Sequence, residues 1–189
     1  MTTIRWAMLG TAMLAVSWVF AGENLHEEAA IPYEQVEDRG QVPFGETMPA
    51  VVENYGRATP SIATGGMITE DAMTTFRDQG MRTVVSLLTA EEGVDRHREW
   101  AQDAGIAYRN ISVTGDGPGD EQVRAFREIL ADPDNYPIMV HCASANRVGS
   151  LWARYRIAMG VPVTVAFQEG RTIGLKPELE ATVRAQLDH

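Results

Sequence analysis

The 189-residue chain has almost no cysteine; Cys142 stands alone. One cysteine cannot close an intramolecular disulfide, so a disulfide-stapled scaffold is excluded, and two- and four-cysteine zinc sites with it. Positive charge is also scarce. Lys+Arg number 16 against 26 Asp+Glu, a formal charge of -10. A general nucleic-acid binder needs a basic footprint to neutralise phosphates, so that class is excluded too. A long apolar run occurs in one place, residues 6–21, and no cysteine lies near its end, which excludes a lipoprotein anchor. What remains is a globular composition, 44% hydrophobic and 22% charged, with enough apolar material for the core of one domain.

The apolar run follows Arg5 and is interrupted only by Thr11 and Ser17. It ends in Val19-Phe20-Ala21 ahead of an acidic stretch, the pattern of a secretory signal peptide over residues 1–21. The alternative is an inner-membrane anchor. Sixteen helical residues reach about 24 Å, short of a hydrocarbon core of about 30 Å. The expectation is therefore a periplasmic or secreted protein with no membrane span after cleavage. Residues 22–52 are rich in Glu and Asp, broken by Pro32, Pro43 and Pro49, and show no sustained period. They read as an acidic, loosely ordered leader to a domain covering residues 53–189.

From Glu53 onward strand and helix signals alternate. Ser61–Thr64, Thr83–Leu88, Tyr108–Val113 and Pro137–Val140 are short, β-branched or apolar segments of the kind a buried sheet uses. Between them the helical signals are clear. Thr69 is placed to cap a helix that Gly80 closes, with Ile68 and Met73 as a hydrophobic staple. A second helix covers residues 94–104 and stops at Gly105. Asp120 is placed to cap a third, in which Val123, Phe126 and Leu130 share a face. A long helix begins near Arg147, and two more are expected over residues 164–170 and 177–187. This alternation predicts an α/β fold with a mainly parallel central sheet flanked by helices.

The chemistry concentrates where the last strand meets the long helix. The residues run His141, Cys142, Ala143, Ser144, Ala145, Asn146, Arg147, Val148, Gly149. A thiol stands at a strand end, small residues follow, and an arginine opens a helix. Unpaired N–H groups at a helix start attract anions, and the same field favours the thiolate, which is the nucleophilic form. The planar fork of Arg147 suits two oxygens of a phosphate-like group. Cys142 and Arg147 are thus the candidate catalytic pair, and His141, Ala143, Ser144, Ala145 and Asn146 the candidate anion-binding loop.

These residues resemble the signature of cysteine-dependent protein tyrosine and dual-specificity phosphatases. They are most similar to a bacterial branch of that family, the phosphatase-like domain named after beta-lactamase-hydrolase-like proteins. The likeness extends over about Glu53 to Leu187, through Gly65-Gly66-Met67-Ile68-Thr69-Glu70, Thr83–Leu87, Glu169-Gly170-Arg171 and Gly174-Leu175. It implies a phosphatase-type fold and hydrolysis of an anionic phosphate ester through a phosphocysteine, with no metal or organic cofactor. Two departures stand out. Four residues separate Cys142 from Arg147 where the usual loop has five, and Val148 replaces the usual hydroxyl residue, for which Ser144 or Ser150 is a substitute. Rhodanese-type sulfurtransferases also use a short loop, so a Cys142 persulfide formed from a sulfane-sulfur donor is the competing chemistry. A non-catalytic anion-binding module is the third reading.

The family supplies its general acid from a loop before the helix that precedes the cysteine strand. Here that loop is Thr114–Asp120, with Asp116 between glycines as the candidate acid and Asp120 the alternative. The resemblance gives His141 a part in orienting the loop; on the residues alone it is equally a core histidine. His97 and His189 occupy polar helical and terminal positions and carry no functional signal. Arg154, Arg156 and Arg171 read as surface helix charges. Nothing in the sequence indicates an oligomeric state.

Overall fold

The computed structural model describes residues 39–46 and 48–187. The expected signal peptide over 1–21, the leader residues 22–38 and His189 lie outside the described residues. A single sheet of five strands forms the centre, in the order β1-β2-β5-β3-β4. The strands are β1 (Gly56–Thr59), β2 (Ile62–Gly65), β3 (Thr83–Ser86), β4 (Ala107–Asn110) and β5 (Ile138–His141). β2, β5, β3 and β4 are parallel neighbours, and β1 turns back antiparallel on β2 as an edge. The expected α/β architecture is therefore present. The antiparallel edge strand was not foreseen, because Gly56-Arg57-Ala58-Thr59 lacks an apolar run and forms by pairing with β2.

Among the described residues six α-helices cover the sheet: α1 (Asp71–Asp78), α2 (Val94–Ala104), α3 (Asp120–Ala131), α4 (Asn146–Ala158), α5 (Val163–Ile173) and α6 (Pro177–Leu187). Strand side chains alternate between the two faces. Ala63, Val84 and Met139 point to one face and pack with Ala72, Met73 and Phe76 of α1 and Ala101 of α2. Ile62, Val85, Ile138 and Val140 point to the other and pack with Val123 and Phe126 of α3 and Leu151 and Trp152 of α4. α5 and α6 add an outer layer on α4 through Ala153, Phe167, Leu179 and Val183. α4 and α5 touch backbone to backbone: a Cβ at Gly149 would lie 2.5 Å from the Gly170 carbonyl oxygen, so that crossing needs glycine.

Three local readings are revised. Residues 39–46 and 48–52 are packed, not loose: Val42, Met48 and Val52 are buried in the α1–α2 core, and Val42 N–H donates to Pro60 O at 2.8 Å. The acidic composition of the segment hid three well-spaced apolar anchors. Glu70, not Thr69, occupies the N-cap of α1, with no side-chain cap bond. Gly119 occupies the N-cap of α3, so Asp120 is its first helical residue rather than its cap.

Candidate active site

β5 is the middle strand, buried along its whole length, and it ends at His141. Its C-terminal edge is where a parallel sheet opens toward helix N-termini and where such folds bind ligands. Cys142 follows at once, 1% exposed, within the core that lies under α4. The chain then turns into α4 through Ala145, whose φ of +67° places a residue with a Cβ in the left-handed region. That conformation costs about 1–3 kcal/mol and is found where surroundings over-determine the backbone. Here Ala145 is fully buried, and the loop is stitched to the end of β2: Cys142 N–H donates to Gly65 O at 3.3 Å and Met67 N–H to Ala143 O at 3.1 Å. Gly66 permits this approach, since a Cβ there would meet Ser144 Cα at 3.1 Å. The Gly65-Gly66-Met67 stretch thus forms one wall of the loop.

Arg147 lies in the first turn of α4, its side chain 11% exposed. Its guanidinium reaches across to the C-terminal ends of β3 and β4, donating to Val113 O at 2.7 Å and Leu87 O at 3.3 Å. Nη1 and Nη2 also grip the two carboxylate oxygens of Glu92 at 2.8 and 2.7 Å. Burial disfavours the Arg147 charge, but the Glu92 hydrogen bonds and the negative charges of a Cys142 thiolate and Glu92 outweigh it and hold its pKa above the ordinary arginine value. In return, hydrogen bonding by Arg147 holds Glu92 down at about 2, against the opposing effect of burial.

Glu92 was not foreseen as a site residue. A signal existed: Thr89 and Glu92 have capping-box spacing directly after a buried strand, and Glu92 does accept from Thr89 N–H at 2.9 Å. That bond leaves the Glu92 carboxylate aimed along the sheet edge, where it meets Arg147. A pocket of about 420 Å³ opens here, lined by Ala143, Ser144, Asn146 and Arg147 of the loop and by Thr89, Glu92, Thr114, Gly115 and Leu179.

The remaining predicted residues divide. Asp116 is exposed on the turn that supplies Thr114 and Gly115 to the pocket and follows them in sequence, but is not itself part of the lining. Asp120 is held elsewhere, bonded to Arg154 Nη2 at 2.6 Å. Ser144 lines the pocket, whereas Ser150 Oγ donates to Arg147 O at 2.8 Å inside α4. Asn146 Oδ1 accepts from Lys176 N–H at 2.8 Å and pins the loop to the start of α6. His141 is fully buried, and burial and then His97 push its pKa down to about 3, against the opposing pull of the Cys142 and Gly66 backbone groups. His97, read as a polar helical residue, is 4% exposed and stacks on His141 with ring centroids 5.2 Å apart. Arg154 and Arg156 are not surface charges either; their side chains are 10% and 5% exposed and ion-paired. Among the described residues no cluster of three or more His, Cys, Asp or Glu could hold a metal ion.

A cysteine closing the central strand of a parallel sheet, with an arginine five residues on in the first turn of the next helix and lining an open pocket, is the arrangement of a cysteine-dependent phosphatase. Residues 52–182 match the family described as DSP-PTPase phosphatase fused to NAD+ kinase, and the chain belongs to that family. No curated protein matches the sequence. Solved structures of similar fold include a DUF442 protein from Shewanella putrefaciens CN-32, 19% identical, with a TM-score of 0.60 over 77% of this chain and 94% of that one. TpbA of P. aeruginosa is 21% identical, with a TM-score of 0.58 over 79% of this chain and 91% of its own. The core catalytic domain of the PP-IP phosphatase SIW14 from S. cerevisiae is 18% identical, with a TM-score of 0.58 over 71% and 85%.

Proposed function

We propose that this protein is an exported phosphomonoester hydrolase that works through a phosphocysteine on Cys142. One observation carries the reading: the Arg147 fork is fixed over the loop by Glu92, Leu87 O and Val113 O, a preorganised anion clamp beside the only thiol of the chain. The Cys142 thiolate attacks phosphorus and an S–P bond forms as the ester P–O bond breaks. The leaving oxygen takes the Asp116 carboxyl proton. Water then attacks phosphorus, gives its proton back to the Asp116 carboxylate, and the thiolate leaves with phosphate released. Arg147 and the N–H groups at the start of α4 hold the equatorial oxygens in both steps. TpbA has been captured with phosphotyrosine, which supports an aryl phosphate as a substrate to try first. Export rests on the apolar run of residues 6–21.

The test is mass spectrometry of the protein quenched in acid after brief exposure to an aryl phosphate or to thiosulfate. A phosphoryl adduct on Cys142 that Cys142→Ser lacks supports the proposal. A persulfide from thiosulfate with no phosphoryl adduct would replace it with sulfur transfer.

A further inference from the structure

The turn that carries Asp116 is fastened at three consecutive residues. Gln186 Nε2, from the last turn of α6, donates to Asp116 O at 3.0 Å. Gly117 has φ +89°, and a Cβ there would lie 2.7 Å from Val183 Cγ2 and 3.3 Å from Leu179 Cδ1, so its backbone lies flat against α6. Pro118 is buried, and its carbonyl accepts from Arg154 Nη1 at 2.9 Å.

Arg154 is the hub of this arrangement. It lies two turns along α4 from Arg147, so the same helix carries the anion clamp and the turn's anchor. Its guanidinium also donates to Gln186 Oε1 at 3.1 Å and to Asp120 Oδ1 at 2.6 Å. Its side chain is 10% exposed, and Asp120 is its ion-pair partner. Gln186 therefore accepts from Arg154 through one amide atom and donates to the Asp116 carbonyl through the other. α6 is itself packed on α4 through Ala153, Leu179 and Val183. A lid that swings open on glycine hinges would have to break all these contacts at once.

We infer that Arg154 and Gln186 are positioning residues that hold the Asp116 turn in one place beside the pocket lined by Ala143, Ser144 and Arg147. The acid is then delivered by a fixed turn, not by a loop that closes on substrate. This rests on the reading of Asp116 as the general acid. Asp120, the other candidate, serves here as the counter-charge of Arg154. Holding the carboxyl in place before substrate arrives lowers the entropy lost in reaching the transition state. In the first step, which kcat/KM reports, the benefit appears only when the leaving oxygen needs a proton, and this gives the inference a signature that general destabilisation lacks.

The experiment uses Arg154→Met, which keeps the aliphatic stem, and Gln186→Glu, which keeps the acceptor for Arg154 but loses the donor to Asp116. Turnover is measured on an alkyl phosphate and on 4-nitrophenyl phosphate, alone and combined with Asp116→Asn, together with hydrogen exchange over residues 115–119. Both variants are expected to lose roughly ten- to a hundredfold in kcat/KM on the alkyl ester, with little loss in kcat/KM on the acidic phenol. Exchange over the turn should quicken while β5 stays protected. In the Asp116→Asn background neither variant should alter the leaving-group dependence further. Equal losses in kcat/KM on both substrates, or unchanged exchange over the turn, would overturn the inference. An Asp116→Asn variant that ignores leaving-group basicity would instead overturn the acid assignment, and with it the catalytic part of the inference. Exchange over the turn then still reports separately whether Arg154 and Gln186 hold it.

Discussion

Glu92→Gln isolates the electrostatic half of the anion clamp. The amide keeps the shape of the side chain and one acceptor oxygen, but it removes the charge that faces Arg147 through two bonds of 2.7 and 2.8 Å. Removing one partner of a fully buried pair costs about 3–5 kcal/mol. The Glu92 side chain is 32% exposed, and Arg147 keeps its carbonyl partners, so screening and the remaining bonds reduce the cost to about 1–2 kcal/mol at pH 7. For a chain of this size that is a fall in Tm of roughly 2–8 °C. The pH dependence fixes the sign. Glu92 titrates near 2 in the folded protein, below its ordinary 4.5, so its stabilisation is complete above the unfolded value and is lost as pH falls toward 2. The gap between wild type and variant should therefore close across that window and stay constant above pH 5. The loosened guanidinium should also lower kcat on an aryl phosphate, by up to roughly 100-fold for a displacement near 1 Å. Thermal melts from pH 3 to 8, with steady-state rates at pH 7, make the measurement. A Tm gap that persists unchanged at pH 3, or a kcat equal to wild type, would refute the reasoning.

Three further outcomes are expected. Cys142→Ser should abolish turnover while the protein still folds, with a modest fall in Tm because a hydroxyl replaces an apolar thiol at a position 1% exposed; circular dichroism melts and phosphate release check both halves. The buried His141 ring has its pKa lowered to about 3 against 6.5 unfolded, so the unfolded chain binds the extra proton and stability should fall as pH drops through that interval. Replacing His141 with Gln should make the melt profile shallower between pH 6.5 and 4.5, the lowered pKa of buried His97 keeping part of the slope, while leaving the Glu92 window below it intact. Gly149→Ala should cost about 1–3 kcal/mol in a denaturant titration, because its methyl meets the Gly170 carbonyl and the Leu175 backbone nitrogen.

Much of this molecule is written locally. The β-branched and apolar run at Thr83–Ser86 and the Ile138–His141 segment are strands because short apolar stretches between turn signals bury well in a parallel sheet. α2 ends at Gly105, with φ +72°, and α6 begins at Pro177, because those residue types suit those backbone positions wherever they occur. The His-Cys-to-Arg stretch is legible for the same reason: a strand end, a small-residue turn and a helix start are all within nine residues.

The side-chain partners were decided by the tertiary structure. Glu92 and Arg147 lie 55 positions apart, Arg154 and Asp120 34 apart, and Gln186 and Asp116 70 apart. None of these distances has a period that local sequence can express. Asp120 has the chemistry of a cap, yet Arg154 claims its carboxylate, and Gly119 takes the N-cap position instead. His97 sits on a charged helix, and only the packing of α2 against the sheet places its ring on His141. Backbone form follows from neighbours along the chain, whereas a charge or a ring takes whichever partner the crossing of strands and helices brings within about 3 to 5 Å.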